Sequence, residues 1–390
     1  MRTIYLDHNA TTPIDPAVRD AMLPFLGAVW GNPSSIHHLG QRARAALDDA
    51  RERTAQLLKC KPSEVIFTSG GTESINLAIL GAARARKSRG RHLITSPVEH
   101  QAVLHCFDYL AAKEGFEVSY LPVDREGRVS PDSLKLALRP DTTLVSIQAA
   151  NNEIGTLQPV AELGSICRQR EVLFHTDAVQ WFGKEPFSDI HQFQADLVSV
   201  CAHKFYGPKG AGVLFCRSPF LPDPVILGGG HENERRAGTE NLAAIVGLVN
   251  ALERFVPTPV FARSQLAPLV EELRFNIKRF PEAILLGSDD PRFGLANTVS
   301  FLVEGSESIT LLAGLDLEGI CASGGSACTS GSLSPSHVIS SLGYAKELAN
   351  SLVRFSLGRN NSLEEVVSIC RALPVVFLRS HSVKCFRIVG

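Results

Sequence analysis

From about residue 60 to residue 220 the sequence alternates short apolar runs with helical periodicity, and this alternation constrains the fold more than any other feature. The candidate strands are Glu64 to Gly70, His92 to Pro97, Phe116 to Val123, Thr143 to Ala150, Val172 to Ala178, Asp196 to Ala202 and Gly212 to Arg217. Between several of them lie segments such as ESINLAILGAARARKS and VAELGSICRQR, whose apolar residues recur at helical spacing. Strands alternating with helices imply crossover units, so the expected architecture is α/β, with a large, mostly parallel seven-stranded sheet covered on both faces. In such sheets ligands bind beyond the carboxyl ends of the strands. Thr72, Asn151, Asp177 and Lys204 each follow a candidate strand, which puts them around one crevice.

A long helix is expected over Asn241 to Val256, and VPTPVFA (Val256 to Ala262) reads as a hinge. A second αβ pattern follows, with strands near Ala283 to Leu286, Ala296 to Leu302 and Gly319 to Ala322. The N-terminal strand can return to either part. A chain of 390 residues suits one large and one smaller domain. The expected division is 14–258 for the large domain, with 1–13 and 259–390 forming the small one.

Composition narrows the function classes. With 44% hydrophobic and 20% charged residues the chain is an ordinary globular protein, and a net charge of −1 gives no footprint for nucleic acid. No run approaches the ~18 to 20 apolar residues that span a bilayer, and the N-terminus has no signal-peptide core, so a cytoplasmic protein is expected. The nine cysteines are odd in number and form no CxxC pair, which argues against a disulfide framework and against a metal site.

Several positions carry chemistry. Lys204 lies in AHKFYGPKG, past a strand end, in a loop that Gly207, Pro208 and Gly210 force into tight turns. A partly desolvated lysine has a lowered pKa and can form a Schiff base with an aldehyde; a solvated surface lysine is the plainer reading. In SGGTES, Gly71 and Thr72 open an apparent helix, whose free N–H groups suit a phosphate; a βα turn with Thr72 as N-cap fits as well. Asp177 in HTDAVQ can keep a pyridine nitrogen protonated and Gln180 can bond the ring's phenolic oxygen, or the pair can be a simple helix cap. His100 is either a satisfied histidine or an imidazole stacked on a cofactor ring.

The loop GGGHENERRAGTEN is an exposed connector, or one that crosses to a neighbouring subunit and offers the Thr239 hydroxyl to a phosphate there. SGGSACTSGSLSPS (Ser323 to Ser336) holds Cys328 among small residues that cannot pack a core, so this thiol is expected on a mobile, accessible loop. Arg354, among the apolar residues of VRFSLG, needs an anion: an internal carboxylate, or that of a substrate.

The motifs YLDHNATTP, GNPSSIH, FTSGGTESINLAI, SPVEHQAV, AANNEIGTLQPV, HTDAVQ, AHKFYGPKG, RAGTEN, SGGSACTS and VRFSLGR, in this order, resemble those of the NifS/IscS-type cysteine desulfurases. The likeness runs to about residue 372. These enzymes depend on pyridoxal 5'-phosphate and have the fold of the aspartate aminotransferase superfamily. The resemblance implies Lys204 as the Schiff-base lysine, His100 stacked on the ring, Asp177 as the pyridinium partner, and Gln180 and Asn151 near the phenolic oxygen. It implies Gly71, Thr72, Cys201 and His203 as further cofactor contacts, with Thr239 donated by the partner subunit of a homodimer. Cys328 resembles the persulfide-forming nucleophile; Asn32, Asn151 and Arg354 resemble residues that bind the carboxylate of L-cysteine. A sulfur-acceptor protein is the implied partner, an iron–sulfur scaffold or a thiolation protein.

The chain departs from the family at Cys201, usually serine and a better donor, at His231 for glutamine and at Glu234 for glycine. The tail from Val375 to Gly390 does not match the segment through which IscS-type proteins dock a scaffold. A selenocysteine lyase or a desulfurase dedicated to thiolation would share the same active-site chemistry. A non-catalytic sulfur-relay protein would not need Lys204, Asp177, His100 and Cys328 together, and an aminotransferase would not need Cys328.

Overall fold

The computed structural model describes residues 3–325 and 335–386, the side chains of 382–386 excepted. The seven expected strands are present as β2 (Val65–Thr68), β3 (His92–Thr95), β4 (Glu117–Tyr120), β5 (Thr142–Ser146), β6 (Leu173–Asp177), β7 (Leu197–Cys201) and β8 (Gly212–Cys216), after β1 (Ile4–Tyr5). They form one sheet in the order β2-β8-β7-β6-β5-β3-β4. Strand β8 runs antiparallel to both β2 and β7, and every other pair is parallel. The two reversals cancel, so all strands but β8 bring their carboxyl ends to one edge.

Alternation along the strands feeds two cores. Val145, Phe174 and Val198 pack into one, while their neighbours Leu144, Leu173 and Leu197 pack into the other, with helices Gly71–Ala85 and Gln101–Glu114. Side chains of successive strand residues point to opposite faces, and a sheet apolar on both faces must be covered on both.

One polar thread crosses this sheet. His175 in β6 is fully buried, with Nδ1 bonded to Ser146 Oγ (2.8 Å) and Nε2 to Ser199 Oγ (3.0 Å). Burial pulls its pKa down to about 3. The unfolded imidazole titrates near 6.5, so below that pH the unfolded chain binds a proton that the folded one refuses. This contribution is complete above pH 6.5 and is lost as pH falls towards the folded value. Unfolding by urea at pH 7 and pH 5 is expected to show a loss smaller by about 2 kcal/mol in His175→Gln than in the parent. Equal losses would remove His175 from the account.

Beyond the large sheet, β9 (Ala283–Leu285), β10 (Thr298–Val303) and β12 (Val353–Ser356) form an antiparallel sheet in the order β12-β10-β9. Strand β1 pairs in parallel with β11 (Ile320–Cys321), so the N-terminus returns to the C-terminal part. The expected long helix runs Leu242–Phe255, and the next begins at Arg263. Among the described residues no helix is long and apolar enough to cross a membrane.

Candidate active site

The edge where the strands end carries a cavity lined by Gly71, Thr72, His100, Asp177, Gln180, Cys201, His203, Lys204 and Arg354, with Asn9 and Ala10 from the N-terminal segment. Lys204 closes the single 3₁₀ turn Ala202–Lys204 that follows β7. Its Nζ donates to the carbonyls of Asn9 (2.8 Å) and Ala10 (2.7 Å). No carboxylate among the described residues pairs with it. Burial, the largest influence, lowers its pKa to about 8; the nearby Arg354 charge lowers it further and Asp177 opposes.

Asp177 ends β6, its Oδ1 taking the Val179 N–H at 2.9 Å. It therefore does cap the turn, but its other oxygen has no side-chain donor among the described residues. Burial pushes its pKa up to about 6, against the pull of the Val179 N–H and the Lys204 charge. A buried carboxylate short of a donor suits a protonated ring nitrogen.

His100 is the N-cap of helix Gln101–Glu114, with Nδ1 accepting the Ala102 N–H at 3.1 Å. That bond assigns the neutral ring's proton to Nε2. Burial, then the Lys204 charge, lowers the His100 pKa to about 4, so the imidazole is neutral at physiological pH.

At the other end of the cavity, helix Gly71–Ala85 starts from Gly70, which makes no side-chain cap. The N-cap is thus Gly70 and not Thr72, an exposed residue inside the first turn. Gly70 has φ 153°, and a Cβ on Gly212 would come within 2.8 Å of the Gly70 backbone. Glycine at both positions lets β8 approach the turn and leaves the helix N-terminus open to an anion. His203, bonded through Nδ1 to Thr11 Oγ1 at 3.1 Å, lies beside it, its pKa lowered to about 4 chiefly by burial. Cys201 is buried, its Sγ making a long contact to Ala211 O (3.9 Å) and facing the backbone N–H groups of Gly71 and His203.

Arg354, in β12, is 1% exposed. Its guanidinium donates to Asp7 Oδ1 at 2.6 Å and to Asn152 O at 2.8 Å, while Nε has no partner among the described residues. The internal ion pair and an unpartnered N–H therefore coexist in a side chain that lines the cavity.

Three described residues singled out in the sequence, Asn151, Asn32 and Thr239, do not line this cavity. The Asn151 amide is spent locally: Nδ2 donates to Val98 O (2.9 Å), and Oδ1 accepts from Glu153 N (2.8 Å) and Ile154 N (2.9 Å). Its neighbour Asn152 lines the cavity instead. Asn32 is exposed, its Oδ1 taking the Ser34 N–H at 2.9 Å, and Thr239 is exposed. Cys328 lies outside the described residues.

Asn9 is the residue that the sequence did not single out, although it stands in the YLDHNATTP motif. It is 1% exposed; its carbonyl receives both Lys204 Nζ and Gln180 Nε2 (2.9 Å), and its amide reaches Thr298 Oγ1 (2.9 Å). In the arginine loop, Glu232, Asn233 and Glu234 take φ of 51°, 55° and 64°. Glu234 thus holds a left-handed conformation that the family's glycine adopts without strain.

Residues 4–369 match the family described as aminotransferase class-V. A protein named cysteine desulfurase IscS from Dictyoglomus turgidum is 48% identical over 366 residues, covering 94% of this chain and 92% of its own. A cysteine desulfurase of Mus musculus is 42% identical over 94% of this chain and 79% of its own. Among solved structures, a NifS-like protein superposes with a TM-score of 0.86 at 36% identity, over 99% of this chain and 100% of that one. SspA in complex with cysteine does so with a TM-score of 0.79 at 34% identity, over 92% and 100%. The chain belongs to the class-V aminotransferase family of pyridoxal-phosphate enzymes, in its cysteine desulfurase branch.

Proposed function

We propose that this chain removes sulfur from L-cysteine, giving L-alanine and a persulfide on Cys328 that passes to an acceptor protein. The observation that carries the reading is a single cavity holding an amine of lowered basicity, a buried carboxylate without a cationic partner and an arginine with a spare N–H.

These residues fit pyridoxal phosphate. Lys204 would hold it through Nζ, Asp177 at the ring nitrogen, Gln180 at the phenolic oxygen and His100 at the ring. Gly71, Thr72, Cys201 and His203 would surround the phosphate at the uncapped helix start. When bound, the cofactor supplies an electron-accepting ring that weakens bonds at the α-carbon of an amino acid joined to it. The chain's own groups do the rest. Lys204 Nζ, deprotonated in a useful fraction, accepts and returns a proton, and His100 offers its neutral Nε2–H nearby. Arg354 takes the substrate carboxylate through Nε and so orients the cysteine sulfur. Sulfur transfer to Cys328 breaks one C–S bond and forms one S–S bond, and the hydrogen lost from the Cys328 thiol is balanced by the one gained at the β-carbon of alanine.

The cysteine bound in the solved SspA structure supports the choice of substrate. Because Thr239 lies outside the cavity of one chain, a homodimer in which the second copy brings it in fits the family pattern. The same reading keeps the division 14–258 against 1–13 with 259–390, a cytoplasmic setting, and an acceptor from iron–sulfur assembly or thiolation.

Purified protein loaded with cofactor and given L-cysteine without reductant should form about one alanine per chain. One extra sulfur atom should appear on the peptide holding Cys328. With a reductant present, alanine and sulfide should accumulate in equal amounts. Transfer of the amino group to a keto acid, with no sulfide, would make the protein an aminotransferase.

A further inference from the structure

Lys184 has no part in the reaction as derived so far, yet it is 3% exposed and sits in the turn behind the cavity wall. Its Nζ donates to Asn9 Oδ1 (2.5 Å) and to Gln180 Oε1, and it lies 5.2 Å from the Phe261 ring centroid. No ion pair forms with it among the described residues, since the adjacent Glu185 is taken by Arg263 at 2.9 Å. The charged and titratable groups facing it are Lys204, Arg354, Glu185 and His8. A buried amine is costly to keep, so its two contacts need a reason.

Gln180 lines the cavity, and an amide can present either its oxygen or its N–H₂ to a ligand. Lys184, protonated or not, can donate both of its bonds, so it draws the Gln180 oxygen away from the cavity. The N–H₂ is turned the other way, with one hydrogen on Asn9 O (2.9 Å) and the second without an acceptor among the described residues. The Asn9 amide is fixed in the same manner, because its Nδ2 donates to Asn152 O (3.3 Å) and Thr298 Oγ1.

We propose that Lys184 is a positioning residue that locks the Gln180 amide with its N–H toward the cavity, so that the phenolic oxygen of the bound cofactor meets a donor and never an acceptor. The inference rests on the pyridoxal-phosphate reading of this site. A donor on that oxygen competes for the lone pair that also holds the proton on the Lys204 nitrogen. Losing the donor therefore strengthens the hold on that proton.

The readout is the pH midpoint of the visible absorbance band of the loaded protein, measured without substrate. Lys184→Met should raise the midpoint by about one pH unit, and Gln180→Leu should do the same. In a Gln180→Leu background, Lys184→Met should add nothing, because the lysine acts through that amide. Lys184→Gln, which keeps a donor but no charge, should return the midpoint to the parent's. An unchanged midpoint in Lys184→Met, or an equal shift with and without Gln180, overturns the proposal. Where Lys184→Met does not fold, Lys184→Gln carries the test, and a midpoint like that of Gln180→Leu overturns it. A parent protein that takes up pyridoxal phosphate with no visible band refutes the cofactor reading itself, which is a different failure.

Discussion

Lys204→Ala is expected to lose both the visible absorbance band of the bound cofactor and turnover of L-cysteine, the latter by at least about 10³-fold. The physical ground is the free amine. With a pKa of about 8, about one Lys204 side chain in ten is uncharged at pH 7, against fewer than about one in a thousand at the ordinary lysine value. The Asn9 and Ala10 carbonyls hold that amine in place without the full charge that a carboxylate would stabilise. Lys204→Arg should fail equally, since a guanidinium keeps its charge and cannot become a nucleophile. Absorbance of the two variants after equal cofactor loading checks the first half, and alanine release checks the second. A persistent band in Lys204→Ala would move the covalent attachment to another residue.

The second large effect separates two thiols. Cys328→Ala should keep the visible band and lose sulfide release from L-cysteine entirely, whereas Cys201→Ser should retain turnover within about threefold. Cys201 is the competing candidate because its side chain lines the cavity. Burial, however, raises its thiol pKa and leaves little thiolate to attack sulfur. Cys60, Cys106, Cys167, Cys216, Cys321 and Cys370 are free thiols outside the cavity, and burial raises each of them too, Cys60, Cys106 and Cys216 to about 12. Sulfide assays on both variants decide the matter. Turnover surviving in Cys328→Ala but not in Cys201→Ser would reverse the assignment.

What could be read in the sequence follows from how local each signal is. The strands of the large sheet are mostly apolar on both faces and β-branched, so their positions were legible to within a few residues, and with them the edge that carries Asp177 and Lys204. Strand β12 was harder, because an arginine within it masks its pattern until Asp7 is known to cover the charge. Adjacent asparagines defeated the reading at Asn151 and Asn152. Past the end of β5 the regular alternation stops, so which of the two faces the cavity cannot be counted from the strand. Asn9 acts mainly through its backbone carbonyl, which every residue possesses, and the lysine it receives lies 195 positions away. Lys184 stands between Gly183 and Glu185 in a segment with no motif to mark it. Its role is set by Gln180 and Asn9, which only the fold brings to it.

The meeting of Asp7 with Arg354, and of His8 with the Ser356 carbonyl, has a consequence for biosynthesis. A polypeptide still emerging from the ribosome can assemble the large sheet before its final strand is made, yet it has no anchor for the substrate and no settled N-terminal brace behind Lys204. Contacts separated by nearly the whole chain have to wait for both of their ends to be made. Competence to liberate sulfur is therefore expected only once β12 has been made and has met the N-terminal segment.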